Sequence, residues 1–222
     1  MKPFNISISS ELKEKMPHMA LGTIICEVEN SEFTDDLWKQ IKQESENIRS
    51  HYKLETIKTN KMIDATRRMY LACGKKPGRY RPAAESLLRR IVKGDELYQI
   101  NTLVDLVNLV SLKTGYSIGG FDAELVEGDV VAGIGKENES YVGIGRGPLN
   151  VNCLPILRDE KGGIGTPTSD EVRTALRLET KYFFMNINGY SGEDDLNETL
   201  KYSVVLLKKH VNAKKIITTV II

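Results

Sequence analysis

The sequence is poor in the residues that make covalent staples, metal cages and membrane spans. Three cysteines occur in 222 residues, and none has a second cysteine or a histidine at metal-ligating spacing. An odd count without such spacing argues against a disulfide framework and a cysteine-based zinc site. The apolar neighbours of Cys26 (Ile24, Ile25), Cys73 (Leu71, Ala72) and Cys153 (Leu154) make them read as buried free thiols. His18, His51 and His210 lie far apart in polar segments, so a serine triad or a histidine metal centre has no material. Neither metal nor cofactor is expected. No window approaches the roughly 18 apolar residues needed to cross a bilayer, so no membrane partner is expected. The opening MKPFNISISSELKEK lacks the apolar run and cleavage site of a signal peptide, which makes the cytoplasm the expected location. An excess of charge of one sign is also missing. Thirty-one basic residues against 30 acidic ones leave a net charge of +1, which excludes a protein held on nucleic acid by a global field.

What remains is an ordinary globular composition, 41% hydrophobic and 27% charged. The length suits one compact α/β domain over residues 1–222. Ala20 to Val28 is a continuous apolar run, as in a buried strand. Thr34-Asp35-Asp36 then opens a helix to about Ser50, with Thr34 as its cap. Helices follow from about Thr56 to Ala72, from Pro82 to Gly94, and from Asn101 to Lys113 with Gly115 as its C-terminal cap. After Gly115 the apolar period changes to two, with strands around Ile118–Ala123, Val130–Gly135, Ser140–Ile144 and Val151–Leu157. A longer strand at Glu179–Asn188, a helix at Asp194–Val211 and a terminal strand at Lys215–Ile222 complete the chain. Acid pairs at Asp35-Asp36 and Asp194-Asp195 sit at helix starts, where the macrodipole accounts for them. Gly133, Gly135, Gly143, Gly145 and Gly147 are followed by strands, whereas a phosphate loop needs a helix after its glycines.

Three features point to chemistry. The helix from Asn101 carries Asp105 and Asn108 at one and two turns, so three polar groups share one face. Such groups either read a ligand amine or fix nearby backbone. The segment GGIGTPTSD (Gly162–Asp170) packs Thr166, Thr168 and Ser169 around Pro167 with Asp170 alongside. That loop either presents hydroxyls and backbone N–H groups, or uses Thr168 or Ser169 to cap a short helix. Between Lys61 and Lys93, ten basic residues stand against Asp64 and Glu85 alone. The stretch is either a phosphate-binding patch, through Arg67, Arg68, Lys75, Lys76, Arg79 and Arg81, or a pair of solvated helix faces.

Five ordered segments carry a family resemblance: YRPAAESLLRRIVKG (Tyr80–Gly94), INTLVDLVNLVSLKTG (Ile100–Gly115), IGGFDAELVEGDV (Ile118–Val130), GIGRGPLN (Gly143–Asn150) and GTPTSD (Gly165–Asp170). From about Arg79 to Ile187 the chain resembles the B3/B4 domain of the bacterial phenylalanyl-tRNA synthetase β subunit, in the form that occurs as a free-standing protein. The resemblance implies a layered α/β fold, with central β layers flanked by helices. Here that core gains an N-terminal strand-helix unit and a C-terminal helix-strand extension. It also implies tRNA or aminoacyl-tRNA as partner, a small amino-acid-like ligand, and hydrolysis of the ester of mischarged tRNA. Asn108, Gly119, Gly120, Phe121, Asp122, Thr166, Thr168, Ser169 and Asp170 are the substrate-binding candidates, while no catalytic residue is assigned. In the synthetase module a histidine of the editing pocket stands two residues before the phenylalanine of a His-Ala-Phe-Asp motif. This chain has Gly119 there, and the GTPTSD loop where the synthetase has Gly-Gly-Glu. The alternative is a module that binds RNA or an amino acid and has lost the editing chemistry. Nothing resembles an aminoacylating catalytic core.

Overall fold

The computed structural model describes residues 4–222. Six helices, ten strands and three short 3₁₀ turns are present among them. Four strands form an antiparallel sheet in the order β10-β2-β9-β3, namely β10 (Lys214–Ile221), β2 (Ala20–Glu27), β9 (Tyr182–Gly189) and β3 (Ile118–Asp122). A second sheet runs β1 (Ile6–Ile8), β4 (Val130–Ile134), β7 (Pro155–Asp159) and β8 (Gly162–Gly165), with β1 parallel to β4. A two-residue ribbon, β5 (Val142–Gly143) with β6 (Gly147–Pro148), stands apart.

Side-chain alternation along β9 explains the layering, because successive residues of a strand point to opposite faces. Phe183, Met185 and Ile187 enter one core together with α2 (Asp35–His51), α4 (Ala83–Val92), α5 (Thr102–Thr114) and α6 (Leu196–Val211). Phe184 enters the other core, between the sheets, where it meets Phe121, Leu21, Val130, Leu157 and Ile164. Helices α1 (Ser10–Lys15) and α3 (Lys61–Ala72) close that second core with Leu12, Ala65, Met69 and Cys73. The result is a layered α/β fold of helices, sheet and second sheet, as the sequence implied.

Several elements differ in detail from the sequence reading. The run from Thr56 begins as a 3₁₀ turn, and α3 starts at Lys61, where the Asn60 side chain accepts the N–H groups of Met62 and Ile63. Thr34 does precede α2, but its hydroxyl bonds to Thr102 at 3.0 Å instead of capping. Strand β7 starts at Pro155, since residues 151–154 form a turn with Cys153 in the left-handed region at φ 62°. That turn leaves Cys153 half-buried, unlike the core thiols Cys26 and Cys73, whose pKa values burial raises to about 12 and about 11. No helix among the described residues is long and apolar enough to cross a membrane.

Candidate functional site

Helix α5 is delimited locally. The Asn101 side chain accepts the N–H of Val104 at 3.1 Å, and Gly115 ends the helix at φ 79°. A Cβ at Gly115 would lie 2.4 Å from the Asn60 oxygen, so the glycine serves both the left-handed cap and a close approach. The three polar groups on the face of α5 then take different roles. Asn101 is the cap. Asp105 accepts the indole N–H of Trp38 at 2.7 Å and the Ile100 N–H at 3.2 Å, and burial raises its pKa. Asn108, half-buried, makes no side-chain hydrogen bond among the described residues, and it lines a cavity of about 290 Å³.

That cavity lies between α5, β3 and the Gly165–Asp170 loop. Its walls are mostly apolar, with Ile100, Val104, Val107, Ile118 and Leu176, and its polar lining is Asn108, Thr166, Ser169 and Asp170. Gly120 forms part of the floor, where a Cβ would meet Leu176 at 3.0 Å and Val107 at 3.2 Å. Asn108, Gly120, Thr166, Ser169 and Asp170 are therefore gathered in one cavity. Gly119, Phe121, Asp122 and Thr168 are not. Strand alternation turns Gly119 and Phe121 to the inter-sheet side. Asp122 accepts the Thr180 hydroxyl at 2.8 Å and the Glu124 N–H at 3.1 Å, and Thr168 bonds to the Tyr70 hydroxyl at 2.8 Å.

The loop is a closed hydrogen-bonded turn. The Thr166 hydroxyl donates to the Ser169 carbonyl at 2.9 Å and accepts the N–H groups of Thr168 and Ser169. Tyr141 donates to the same carbonyl at 2.7 Å. These bonds stiffen the loop rather than leave its hydroxyls free, so Thr166 is a brace. The short helix that follows, Val172–Thr174, is capped by Glu171, which accepts the Arg173 N–H at 2.6 Å, and not by Thr168 or Ser169.

The loop presents Asp170. One carboxyl oxygen accepts the Gly120 N–H at 3.1 Å. The other lies 3.2 Å and 2.9 Å from where a Cβ would stand at Gly119 and Gly165, so the carboxyl passes between two bare backbones from different sheets. The Phe121 ring covers both, its tip 2.5 Å from either Cβ position. Asp170 is half-buried, and desolvation pushes its pKa up to about 7 against the Gly120 N–H, which lowers it. A carboxyl so shifted at a cavity wall is a candidate acid-base group.

On its far side Asp170 reaches a second, narrow space of about 10 Å³ between the sheets, where apolar side chains such as Leu12, Leu21, Phe121 and Leu157 meet the polar groups of Thr166, Asn186, Asn188 and Tyr190. Asn186, Asn188 and Tyr190 are not among the residues that the sequence patterns single out. The available signal was two amides inside the apolar strand YFFMNING, a place where polar groups need partners.

The basic stretch divides in two. Glu85, 1% exposed, takes Arg67 and Arg89 at 2.9 Å each and Arg81 at 3.6 Å. Arg68 pairs with Asp64 at 3.0 Å on the surface. Lys75 donates to the carbonyls of Asn150 and Asn152 and sits 4.0 Å over the Tyr80 ring, and burial lowers its pKa. Lys76 and Arg79 are exposed. Arg67 and Lys75 thus have structural partners, whereas Arg68, Lys76 and Arg79 stand in solvent and Arg81 is only loosely paired.

A model of the B3/4 domain matches residues 65–201. Among solved structures, an N-terminal fragment of the phenylalanyl-tRNA synthetase β-subunit from Pyrococcus horikoshii is similar over 99% of this chain and 51% of that one, at 13% identity and a TM-score of 0.47. The chain thus spans about half the length of that fragment. No curated protein matches.

Proposed function

The chain belongs to the B3/4 domain family, and from that premise we propose that it binds a small amino-acid-like group in the α5–β3 cavity and hydrolyses the ester of mischarged aminoacyl-tRNA as a free-standing editing factor. The observation that carries this reading is the position of Asp170, held by the Gly120 N–H on the wall of a cavity of about 290 Å³, where burial pushes its carboxyl up to about 7. At neutral pH about half of such a group is ionised, so it can take a proton from water and return it within one turnover. Its carboxylate removes a proton from a water molecule as the water oxygen attacks the ester carbonyl. The carbonyl oxygen gains charge, and the Asn108 amide is the side-chain donor available to it. Collapse breaks the bond to the ribose oxygen, which receives the proton from Asp170. The free amino acid and the tRNA leave. The apolar wall of Val104, Val107, Ile118 and Leu176 suits an uncharged side chain, and exposed Arg68, Lys76, Arg79 and Arg81 suit the tRNA backbone. The reading treats the chain as one domain, because β2, β9 and β10 join distant segments in one sheet.

The test is deacylation of a panel of mischarged tRNAs, with a rate that rises through a midpoint near pH 7 and is lost in Asp170→Asn. No deacylation above the uncatalysed rate across the panel overturns it.

A second reading, a module that binds RNA or an amino acid without turnover, is favoured by Gly119. Gly119, which stands where the resembled synthetase module has a histidine, lies against Phe121 and Asp170, so a side chain there would have to displace the Phe121 ring. Salt-sensitive tRNA binding without turnover, weakened by charge reversal at Arg68, Lys76 and Arg79, is its signature.

A further inference from the structure

The buried amide of Asn186 has an oxygen with no protein donor. Asn186 is 0% exposed, and its Nδ2 donates to Asn188 Oδ1 at 3.0 Å. Asn188 Nδ2 in turn donates to the Ser117 carbonyl at 2.8 Å, and the Tyr190 hydroxyl donates to Asn188 Oδ1 at 3.4 Å. This chain of donors fixes the orientation of the Asn186 amide, because flipping it would set Asn186 Oδ1 against Asn188 Oδ1, two acceptors with no proton between them. Asn186 Oδ1 is left unpaired and buried. Nearby donors are already engaged: the Gly120 N–H by Asp170, the Thr166 hydroxyl by Ser169, the Tyr190 hydroxyl by Asn188. The space that Asn186 lines is about 10 Å³, and Asp170 lines it too. Much of the lining is apolar, but a volume of about that size is the least that holds one water molecule, and Asn186 Oδ1 and Asp170 Oδ1 are polar partners for it.

We infer that the inter-sheet space is a binding site for a single water molecule that donates one proton to Asn186 Oδ1 and the other to Asp170 Oδ1, which makes Asn186 a positioning residue for Asp170. Asp170 Oδ2 takes the Gly120 N–H, and Oδ1 is the oxygen lying beside Gly119 and Gly165 on the inter-sheet side. The water is a second donor to the carboxylate and favours its charged form, opposing burial. Asp170 is then held from both faces, open to substrate on one and tied through water to β9 on the other. Other titratable groups facing this region are Tyr141, whose hydroxyl bonds the loop at Ser169, Glu171 on the following residue, Tyr190, which lines the inter-sheet space, and Tyr70, whose hydroxyl bonds Thr168. Arg146 lies within electrostatic reach of Tyr70.

The inference deepens the proposed role of Asp170, yet its test needs no substrate. A crystal structure of the intact chain at near-atomic resolution is expected to show one water within hydrogen-bond distance of Asn186 Oδ1 and Asp170 Oδ1. Carboxyl ¹³C NMR then follows the Asp170 titration, assigned by its disappearance in Asp170→Asn. In Asn186→Leu the midpoint is expected to rise by about one pH unit, a tenfold weaker acid. Asn186→Ser, smaller and still polar, keeps a partner for water and is expected to shift the midpoint less, so it serves if the leucine variant does not fold. A dry inter-sheet space, or a midpoint unmoved in the folded variants, overturns the inference. Either result leaves the deacylation assay untouched, and an inactive protein with the water and the shift in place would overturn the editing reading alone.

Discussion

Replacing Asp170 by asparagine is expected to stabilise the protein above neutrality and to leave its stability nearly unchanged in acid. The folded carboxyl has a pKa of about 7, raised from an ordinary 3.8. Well below pH 3.8 the group is protonated in both folded and unfolded chains and its burial carries no charge cost. Between those two values the unfolded chain releases the proton that the folded chain retains, so stability falls as pH rises. Above pH 7 the loss is complete. At 1.36 kcal/mol per pH unit, a separation of about three units corresponds to about 4 kcal/mol, an upper bound because water at the cavity wall screens the charge. Asparagine carries no charge at any pH and keeps an oxygen to accept the Gly120 N–H. Urea unfolding of wild type and Asp170→Asn at pH 4.5, 6 and 8 measures the effect. The expected advantage of the variant grows with pH by about 2–4 kcal/mol, while deacylation is lost, as when a functional group is kept at a cost in stability. An advantage that stays constant with pH would show that Asp170 ionises normally in the folded chain and refute the acid-base argument.

Gly119→Ala places a Cβ 2.5 Å from the Phe121 ring and 3.2 Å from Asp170, so an overpacking loss of about 1–3 kcal/mol is expected, read as a lower calorimetric melting temperature; an unchanged melting point would mean the inter-sheet contact is loose. Asn108→Ala removes no protein hydrogen bond, so stability is expected to stay within about 0.5 kcal/mol while deacylation or ligand binding falls; equal loss of both would make Asn108 a structural residue. Glu85→Ala leaves Arg67, Arg81 and Arg89 without their shared carboxylate, and a loss of about 2–4 kcal/mol in chemical denaturation is expected, below the full cost for a buried pair because the arginines are partly exposed. Charge reversal at Arg68, Lys76 and Arg79 is expected to weaken tRNA binding and flatten its salt dependence without unfolding the chain, checked by filter binding across a salt series.

The elements most legible in the sequence were those whose signals are local. Helix α5 could be read from Asn101 and Gly115 because a cap acts within a few residues, and α4 from Pro82 and Gly94 for the same reason. Strand β8, GGIG, was read as loop: three of its four residues have no side chain, so the alternation that marks a strand is absent. Strand β1 is three residues long and depends on parallel pairing with β4 more than a hundred residues away. The ribbon β5–β6 is shorter than its apolar run, since Gly145 and Gly147 take positive φ and turn the chain early.

At the site, sequence established which residue types were available and which of them share a helix face or a strand face, because helical and strand periods are properties of the backbone itself. It placed Asn101, Asp105 and Asn108 together and put Gly119 and Gly120 side by side. Tertiary structure decided what each does. Trp38, sixty-seven residues away, occupies Asp105, while Asn108 remains open to the cavity. The packing of two sheets turns Gly120 to the cavity and Gly119 to the inter-sheet space, and it encloses Asp170 between Gly119 and Gly165. Desolvation, which sets the charge of Asp170, comes from neighbours distant in the chain, so no local pattern of residues could have revealed it.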